Sequence, residues 1–129
     1  MLNSPRVITA LNAVTATTTS SAFYVGGAKR IALLFRRADN AGGTSAFTVK
    51  ASLDPADTVT PTMTALNLWI DNVTNTNNQT LTRVNGKSIA ASNGDAFLFL
   101  DQNCIVNWLE ITVTETADGT HSAFIILEY

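Results

Sequence analysis

The chain has 129 residues, of which 46% are hydrophobic and only 14% are charged, and its net charge is -2. This length suits one folded domain, and the low net charge excludes the broad positive field that sequence-independent nucleic-acid binding needs. A surface made mainly of uncharged polar groups repels copies of itself only weakly, so we expect the protein to self-associate.

The first 20 residues are predicted to form an N-terminal strand or arm, set apart from a single β-sandwich domain at 21–129. The segment "PRVITALNAV" suits a strand, whereas "TATTTSS" has nothing large to bury. The arm is either an ordinary edge strand or a segment exchanged between subunits, since β proteins commonly assemble by strand exchange. It lacks an apolar run of signal-peptide length, and no later stretch suits a membrane span, so we expect neither export nor membrane insertion.

An alternation of apolar and polar residues with a period of two dominates the rest of the chain. The runs "RIALLFR", "AFTVKASLD" and "NWLEITVTET" all show it, which is typical of half-buried strands. In "TALNLWI" the same pattern predicts one strand with Leu66, Leu68 and Ile70 on the apolar face and Trp69 on the opposite face.

Turn signals separate these runs at short intervals, at 39–43, 85–86, 93–95 and 117–120. They favour antiparallel connections, and no segment shows a sustained helical period. We therefore predict an all-β fold: a two-sheet antiparallel sandwich of about eight or nine strands, with a jelly-roll topology first and an immunoglobulin-like one as the alternative.

Two predicted strands are apolar on both faces, "AFLFL" at 96–100 and "SAFIILEY" at 122–129. Only one face of a sandwich strand meets the core, so the other face needs a cover, either a loop of the same chain or another subunit. We favour another subunit. The interface candidates on these strands are Phe97, Phe99, Phe124 and Ile126.

Three further residues are interface candidates. Arg36 and Arg37 are interpreted either as the polar end of a strand or as a contact with a partner. Trp69 either packs against a neighbouring subunit or, with Trp108, offers a platform for sugar stacking. Cys104 stands alone, which excludes a disulfide within the chain and favours a buried thiol.

Groups for catalysis or metal binding are scarce. His121 is the only histidine, and the turn before it predicts a position at the surface or at a strand end. Asp54 and Asp57 are calcium candidates through their close spacing alone. No nucleophile elbow, P-loop or zinc motif is present, so we expect a protein that is not an enzyme and has no cofactor. A hydrolase built on scattered carboxylates is the alternative.

The stretch "DNVTNTNNQT" at 71–80 contains two formal glycosylation sequons. Without export they have no role, so we predict a polar connection between strands. It lies either in solvent or against a neighbouring subunit, where its amides would form hydrogen bonds.

The run "SAFYVGGAKRIALLFRRADNAGGTSAFTVKASLD" and the closing "ETADGTHSAFIILEY", interpreted as a hairpin, resemble small all-β virion proteins of tailed bacteriophages. The resemblance implies a structural protein made in the host cytoplasm and located in the virion. Such a protein self-associates, for example as a trimer, and docks as a decoration (cement) protein on the major capsid protein, or on a tail protein. A carbohydrate-binding β-sandwich module and a subunit of another self-assembling β filament are the alternatives.

Overall fold

The computed structural model describes residues 4–38, 42–71, 82–90, 94–116 and 119–129. Within these ranges twelve β-strands form and no helix, so none of the described residues belongs to a helix that could cross a bilayer. The strands are β1 (Arg6–Val14), β2 (Thr18–Thr19), β3 (Phe23–Tyr24), β4 (Arg30–Ala38), β5 (Thr44–Ser52), β6 (Thr64–Ala65), β7 (Trp69–Asp71), β8 (Arg83–Val84), β9 (Gly86–Ala90), β10 (Gly94–Leu100), β11 (Trp108–Glu115) and β12 (Thr120–Glu128).

The strands form two antiparallel sheets of six strands. Sheet A has the order β1-β12-β4-β10-β7-β8, and sheet B has the order β2-β11-β5-β6, with β3 also paired to β11 and β9 also paired to β5. The short strands β2 and β3 share one edge of β11, and β6 and β9 share one edge of β5. The long strands therefore form the centre of each sheet.

This order is that of a jelly roll. The chain pairs like one long folded hairpin: β1 with β12, β2 and β3 with β11, β4 with β10, and β5 with β6 and β9. Successive long strands alternate between the sheets, unlike an immunoglobulin-like sandwich, in which the first two strands lie side by side. The predicted all-β, two-sheet antiparallel sandwich with jelly-roll topology is confirmed.

The core lies between the two sheets and follows the alternation in the sequence. Ile31, Leu33 and Phe35 of β4 are buried, and Phe35 stacks on Phe47 of β5 with ring centroids 4.6 Å apart. Burying each such side chain contributes roughly 1.5–3 kcal/mol. The other buried apolar residues of the long strands are Leu11, Val49, Ala51, Leu98, Leu109, Ile111, Val113, Ala123, Ile125 and Leu127.

The N-terminal segment lies on its own chain in this structure. β1 forms the edge of sheet A against β12, and β2 pairs with β11. The β1 pairing is irregular between Leu11 and Val14, where Ala13 has a φ of 51°. That value is unusual for a residue with a side chain. Exchange of this segment between subunits stays a prediction.

The prediction of one strand over "TALNLWI" is wrong. The chain forms β6 in sheet B, leaves it, and enters sheet A as β7. Trp69 is fully buried, while Ile70 faces outward and Leu66 is exposed. Alternation identified two faces here but could not tell which one met the core.

A predicted antiparallel connection and a predicted hairpin are also wrong. At 85–86 the chain passes from β8 in sheet A to β9 in sheet B, so "NG" marks a change of sheet. The closing pair β11 and β12 likewise lie in different sheets. In a jelly roll, successive strands cross the core, so turn residues there connect sheets. The predicted turns at 39–43, 93–95 and 117–120 lie partly outside the described residues.

Candidate functional site

The outer face of sheet A carries two rows of side chains that run across the strands. In the first, the Ala32 row, Ala32 of β4 lies level with Phe99 of β10 and Ile126 of β12. The row continues to Ile70 of β7 and Val7 of β1. Five strands thus contribute one unbroken line of apolar side chains.

The second row, the Leu34 row, lies two residues further along β4. Leu34 is level with Phe97 of β10 and Phe124 of β12, and Thr9 of β1 completes the row. Phe97 is 46% exposed, Phe99 in the first row is 43% exposed and Val7 is 58% exposed. Large apolar side chains with such exposure, grouped on one face, are typical of interaction surfaces.

The four predicted contact residues Phe97, Phe99, Phe124 and Ile126 all belong to these rows. Sequence reasoning missed Val7 and Leu34 as members of the same face. Both are outward residues of their strands, but the alignment of β1, β12, β4 and β10 depends on long-range pairing that no local pattern reveals.

Along the strand direction, an ion pair flanks the two rows on each side, towards the two ends of β4. At one end Arg36 donates two hydrogen bonds of 2.9 Å to the carboxylate of Asp95. At the other end Arg30 donates to Glu128 at 3.1 and 2.5 Å. Each of these two arginines therefore has its own carboxylate.

The Arg36–Asp95 ion pair is bidentate. Its hydrogen bonds raise the pKa of the Arg36 guanidinium and lower the pKa of the Asp95 carboxyl. The Arg36 guanidinium carbon also lies 6.0 Å from the centre of the Phe124 ring. Arg36, a predicted contact residue, is exposed beside the Leu34 row.

The outer face of sheet B has a different character. Thr112 of β11 lies level with Thr48 of β5 and bonds Thr19 of β2, with 2.9 Å between the two hydroxyl oxygens. Lys50 and Glu110 are level with each other on the same face. These polar side chains suit contact with water, whereas the side chains of the Ala32 row on sheet A are apolar.

Arg37 is not on the surface, and its prediction as an interface residue is wrong. The side chain is 1% exposed and points between the sheets. Its guanidinium donates hydrogen bonds to the carbonyl oxygens of Gly42, Gly43 and Ile89. These bonds compensate the burial of the charge and tie β4 to the chain of sheet B.

His121, predicted at the surface, is also fully buried. Its Nε2 lies 2.7 Å from Glu115 Oε2 and its Nδ1 lies 2.8 Å from Ser45 Oγ. A neutral ring donates from Nε2 to the carboxylate and accepts the hydroxyl proton at Nδ1. Although serine, histidine and acid meet here, Ser45 is fully buried as well, so its hydroxyl is closed to solvent in this structure.

The sequence contained a signal for this cluster. Arg37 continues the buried alternation of β4, Ser45 that of β5, Glu115 that of β11 and His121 that of β12. Extending the alternation of inward and outward side chains by one more inward position in each strand places all four of these side chains between the sheets. The polar character of Arg37 and His121 had instead favoured positions at strand ends.

The two tryptophans proposed for sugar stacking differ in exposure, since Trp69 is fully buried and Trp108 is half-buried. Trp69 has no exposed surface and belongs to the core, so it neither stacks on a sugar nor contacts a neighbour. The Trp108 indole N–H donates to the carbonyl oxygens of Asp54 and Pro55, and its ring meets Tyr24 edge-on at 5.2 Å. Trp108 thus holds the connection between β5 and β6 in place.

The calcium candidates lie on that connection. Asp54 Oδ2 accepts a hydrogen bond of 2.7 Å from the backbone N–H of Thr62, and Asp57 is exposed. Within the described ranges no three His, Cys, Asp or Glu side chains are grouped to hold a metal ion. Cys104, expected to be buried, is partly exposed in the connection between β10 and β11.

Of the stretch 71–80, only Asp71 belongs to the described residues, so its predicted role as a polar connection lies outside them. Asp71 is 3% exposed, and Lys87 Nζ of β9 lies 2.5 Å from Asp71 Oδ2. The pair joins sheet A to sheet B. The first residue of the stretch is therefore part of the sandwich itself.

No protein-family model matches the sequence, and no curated protein matches it either. Among solved structures, the crystal structure of the SPBc2 prophage-derived protein YomS is similar to this chain, with a TM-score of 0.60 and 14% identity. The alignment covers 99% of this chain and 98% of that chain. At this identity the likeness shows a shared fold over nearly the whole length of both proteins.

Proposed function

We propose that the chain is a non-enzymatic structural component of a bacteriophage particle. It self-associates and docks on the capsid as a decoration protein, or on the tail. The observation that carries this proposal is the outer face of sheet A, with its two apolar rows flanked along the strands by ion pairs within the chain. A monomer in water gains nothing from exposing such a face, whereas an assembly buries it.

Two further observations support the proposal. The structural neighbour that shares the fold is a prophage-derived protein. In addition, of the serine, histidine and acid that lie together, Ser45 and His121 are fully buried and Glu115 is partly exposed, and hydrogen bonds join the three across the two sheets.

Self-association is tested by size-exclusion chromatography with light scattering. The wild type should form a defined oligomer, and Phe97→Asp/Phe99→Asp should be monomeric, because carboxylates would be buried in the contact. Val59→Asp is the matched control, since Val59 is 97% exposed on the connection between β5 and β6. A wild type that stays monomeric at high concentration would contradict self-association.

Docking on a particle needs a separate experiment. Purified particles of the phage or prophage that encodes the chain should contain it in a fixed ratio to a capsid or tail protein, as measured by quantitative mass spectrometry. Abundant protein in the lysate combined with its absence from the particles would refute the structural role.

A further inference from the structure

A cleft of about 340 Å³ lies at one end of the sandwich, between two connections that cross from one sheet to the other. The connection from β3 to β4 forms one wall with Gly27, Ala28 and Lys29. The connection from β10 to β11 forms the other wall. Small-molecule sites in proteins begin at about this volume, so the cleft suits a small ligand.

Main-chain hydrogen bonds fix both walls of the cleft. The Val25 N–H donates to the carbonyl oxygen of Asn107 at 2.7 Å and ties the two connections together. Gly27, whose φ is 86°, stands at the third position of a turn that the Ala28 N–H closes on the Val25 carbonyl at 3.3 Å. The Asn107 N–H donates to Ser52 of sheet B at 2.9 Å. A cleft held in this way is formed before a ligand enters, which lowers the entropic cost of binding.

The inner part of the cleft is apolar. Ile31 and Val106 line it and are almost fully buried, and Leu100 beside them is partly buried. Phe99 and Ile105 also line the cleft and are more exposed, so they lie towards its mouth. An apolar group that enters the cleft therefore removes hydrophobic surface from water on several sides.

The charged groups at the cleft leave an excess of one positive charge. Arg30 is paired with Glu128, and the carboxylate of Asp101 is paired with Arg83. Lys29 has no carboxylate partner among the residues that the structure describes. This local excess lies in a chain whose net charge is -2, so the mouth of the cleft favours a single anionic group.

We infer that this cleft binds a small monocarboxylate with an apolar body. The carboxylate lies against the Lys29 ammonium group, and the apolar body lies against Ile31 and Val106. A polyanion such as nucleic acid finds only one unpaired cation here, and a neutral polar ligand gains little from the apolar interior.

Phenylbutyrate is a suitable probe, because it joins a phenyl ring to a carboxylate through a short chain. Its amide, phenylbutyramide, has the same shape without the charge. In titrations of the wild type followed by amide NMR, phenylbutyrate should shift the signals of 27–29 and 101–107 and bind roughly threefold or more tightly than the amide. Equal affinity for the two compounds, or no saturable binding of phenylbutyrate, would overturn the inference.

Lys29→Met removes the ammonium group and keeps an apolar side chain. Its affinity for phenylbutyrate should fall roughly threefold or more, whereas its affinity for phenylbutyramide should not change. Lys50→Met, at an exposed position on the outer face of sheet B, is the matched control and should bind phenylbutyrate like the wild type. Both lysines are exposed, so both variants should keep the wild-type spectrum outside the cleft. Equal losses in the two variants would contradict a specific role of Lys29.

Cys104 reports directly whether a ligand occupies the cleft. It is the one cysteine of the chain, lines the cleft and is partly exposed. Alkylation by iodoacetamide, followed by mass spectrometry, should slow when phenylbutyrate is added, and Lys29→Met should need more phenylbutyrate for the same protection. Alkylation that is unchanged at a saturating concentration of phenylbutyrate would place the ligand elsewhere and overturn the inference.

Binding takes place within one chain and needs neither self-association nor docking on a particle. A chain that assembles but does not bind phenylbutyrate leaves the structural role standing. A chain that binds phenylbutyrate at Lys29 but stays monomeric and absent from particles supports the cleft and contradicts the structural role.

Discussion

His121, Ser45 and Glu115 form a polar end to an otherwise apolar core. Removing the hydroxyl in Ser45→Ala leaves Nδ1 of a fully buried imidazole without that partner, which costs about 1–3 kcal/mol. We expect the midpoint of urea unfolding to fall with an unchanged slope. Ser88→Ala, on the exposed side of β9, is the control and should change the midpoint little. Equal effects of the two substitutions would contradict the structural role of the cluster.

Asp101 is a buried carboxylate whose protonation should matter at acidic pH. The hydrogen bond from the backbone N–H of Asn103, followed by that from Arg83, lowers its pKa in the folded protein. The stability it contributes is complete above the unfolded pKa of about 4 and is lost as the pH falls through the lowered folded pKa.

Asp101→Asn should therefore flatten the dependence of unfolding free energy on pH below about pH 4, measured by denaturation at a series of pH values. Asp57→Asn, at an exposed turn, provides the comparison and should keep the wild-type slope. An acid limb that stays as steep in Asp101→Asn as in the wild type would argue against this assignment.

Among the elements, the passage from β8 to β9 depends on a glycine. A Cβ at Gly86 would lie 2.1 Å from the carbonyl oxygen of Phe47, so the two backbones must approach where the chain changes sheet. Gly86→Ala should lower stability by about 2 kcal/mol or more, seen as a lower unfolding temperature.

Gly94→Ala is the matched substitution, because the nearest atom to its Cβ is 3.9 Å away. We expect this variant to keep the wild-type unfolding temperature or to exceed it slightly, since alanine reduces the entropy of the unfolded chain. A similar loss of stability in both variants would show that close approach at Gly86 is not the cause.

Across the whole molecule, the apolar rows and their internally paired charges predict how assembly responds to salt. Burial of apolar surface does not depend on screening, so association should change little between about 0.05 and 0.5 M sodium chloride. Sedimentation equilibrium at both concentrations measures this. A strong loss of association at the higher concentration would indicate contacts between unpaired charges instead.

The local alternation of apolar and polar residues predicted the long strands, but it did not predict which face of every strand lies in the core. The strands β4, β5, β11 and β12 follow from alternation, because an apolar residue at every second position makes one face of any extended segment hydrophobic. The structure places Phe97, Phe99, Phe124 and Ile126, the contact residues predicted from the doubly apolar strands, on one outward face, and their role in a contact stays a prediction. Trp69 was assigned to the wrong face. Its segment has apolar side chains on both faces, so either choice of the inward face buries hydrophobic side chains.

The sequence by itself determined the all-β class and the two-sheet antiparallel sandwich, and it left a jelly-roll and an immunoglobulin-like topology as alternatives, since side-chain period and the spacing of turns are local properties. Only the tertiary structure decided which strands are neighbours, and hence that Val7, Leu34 and Ile70 join the phenylalanines in two rows. It also decided that Arg37 and His121 lie inside, because the hydrogen-bond partners that allow their burial come from distant strands. Register and partner choice depend on contacts between residues far apart in the chain, which no short window of sequence contains.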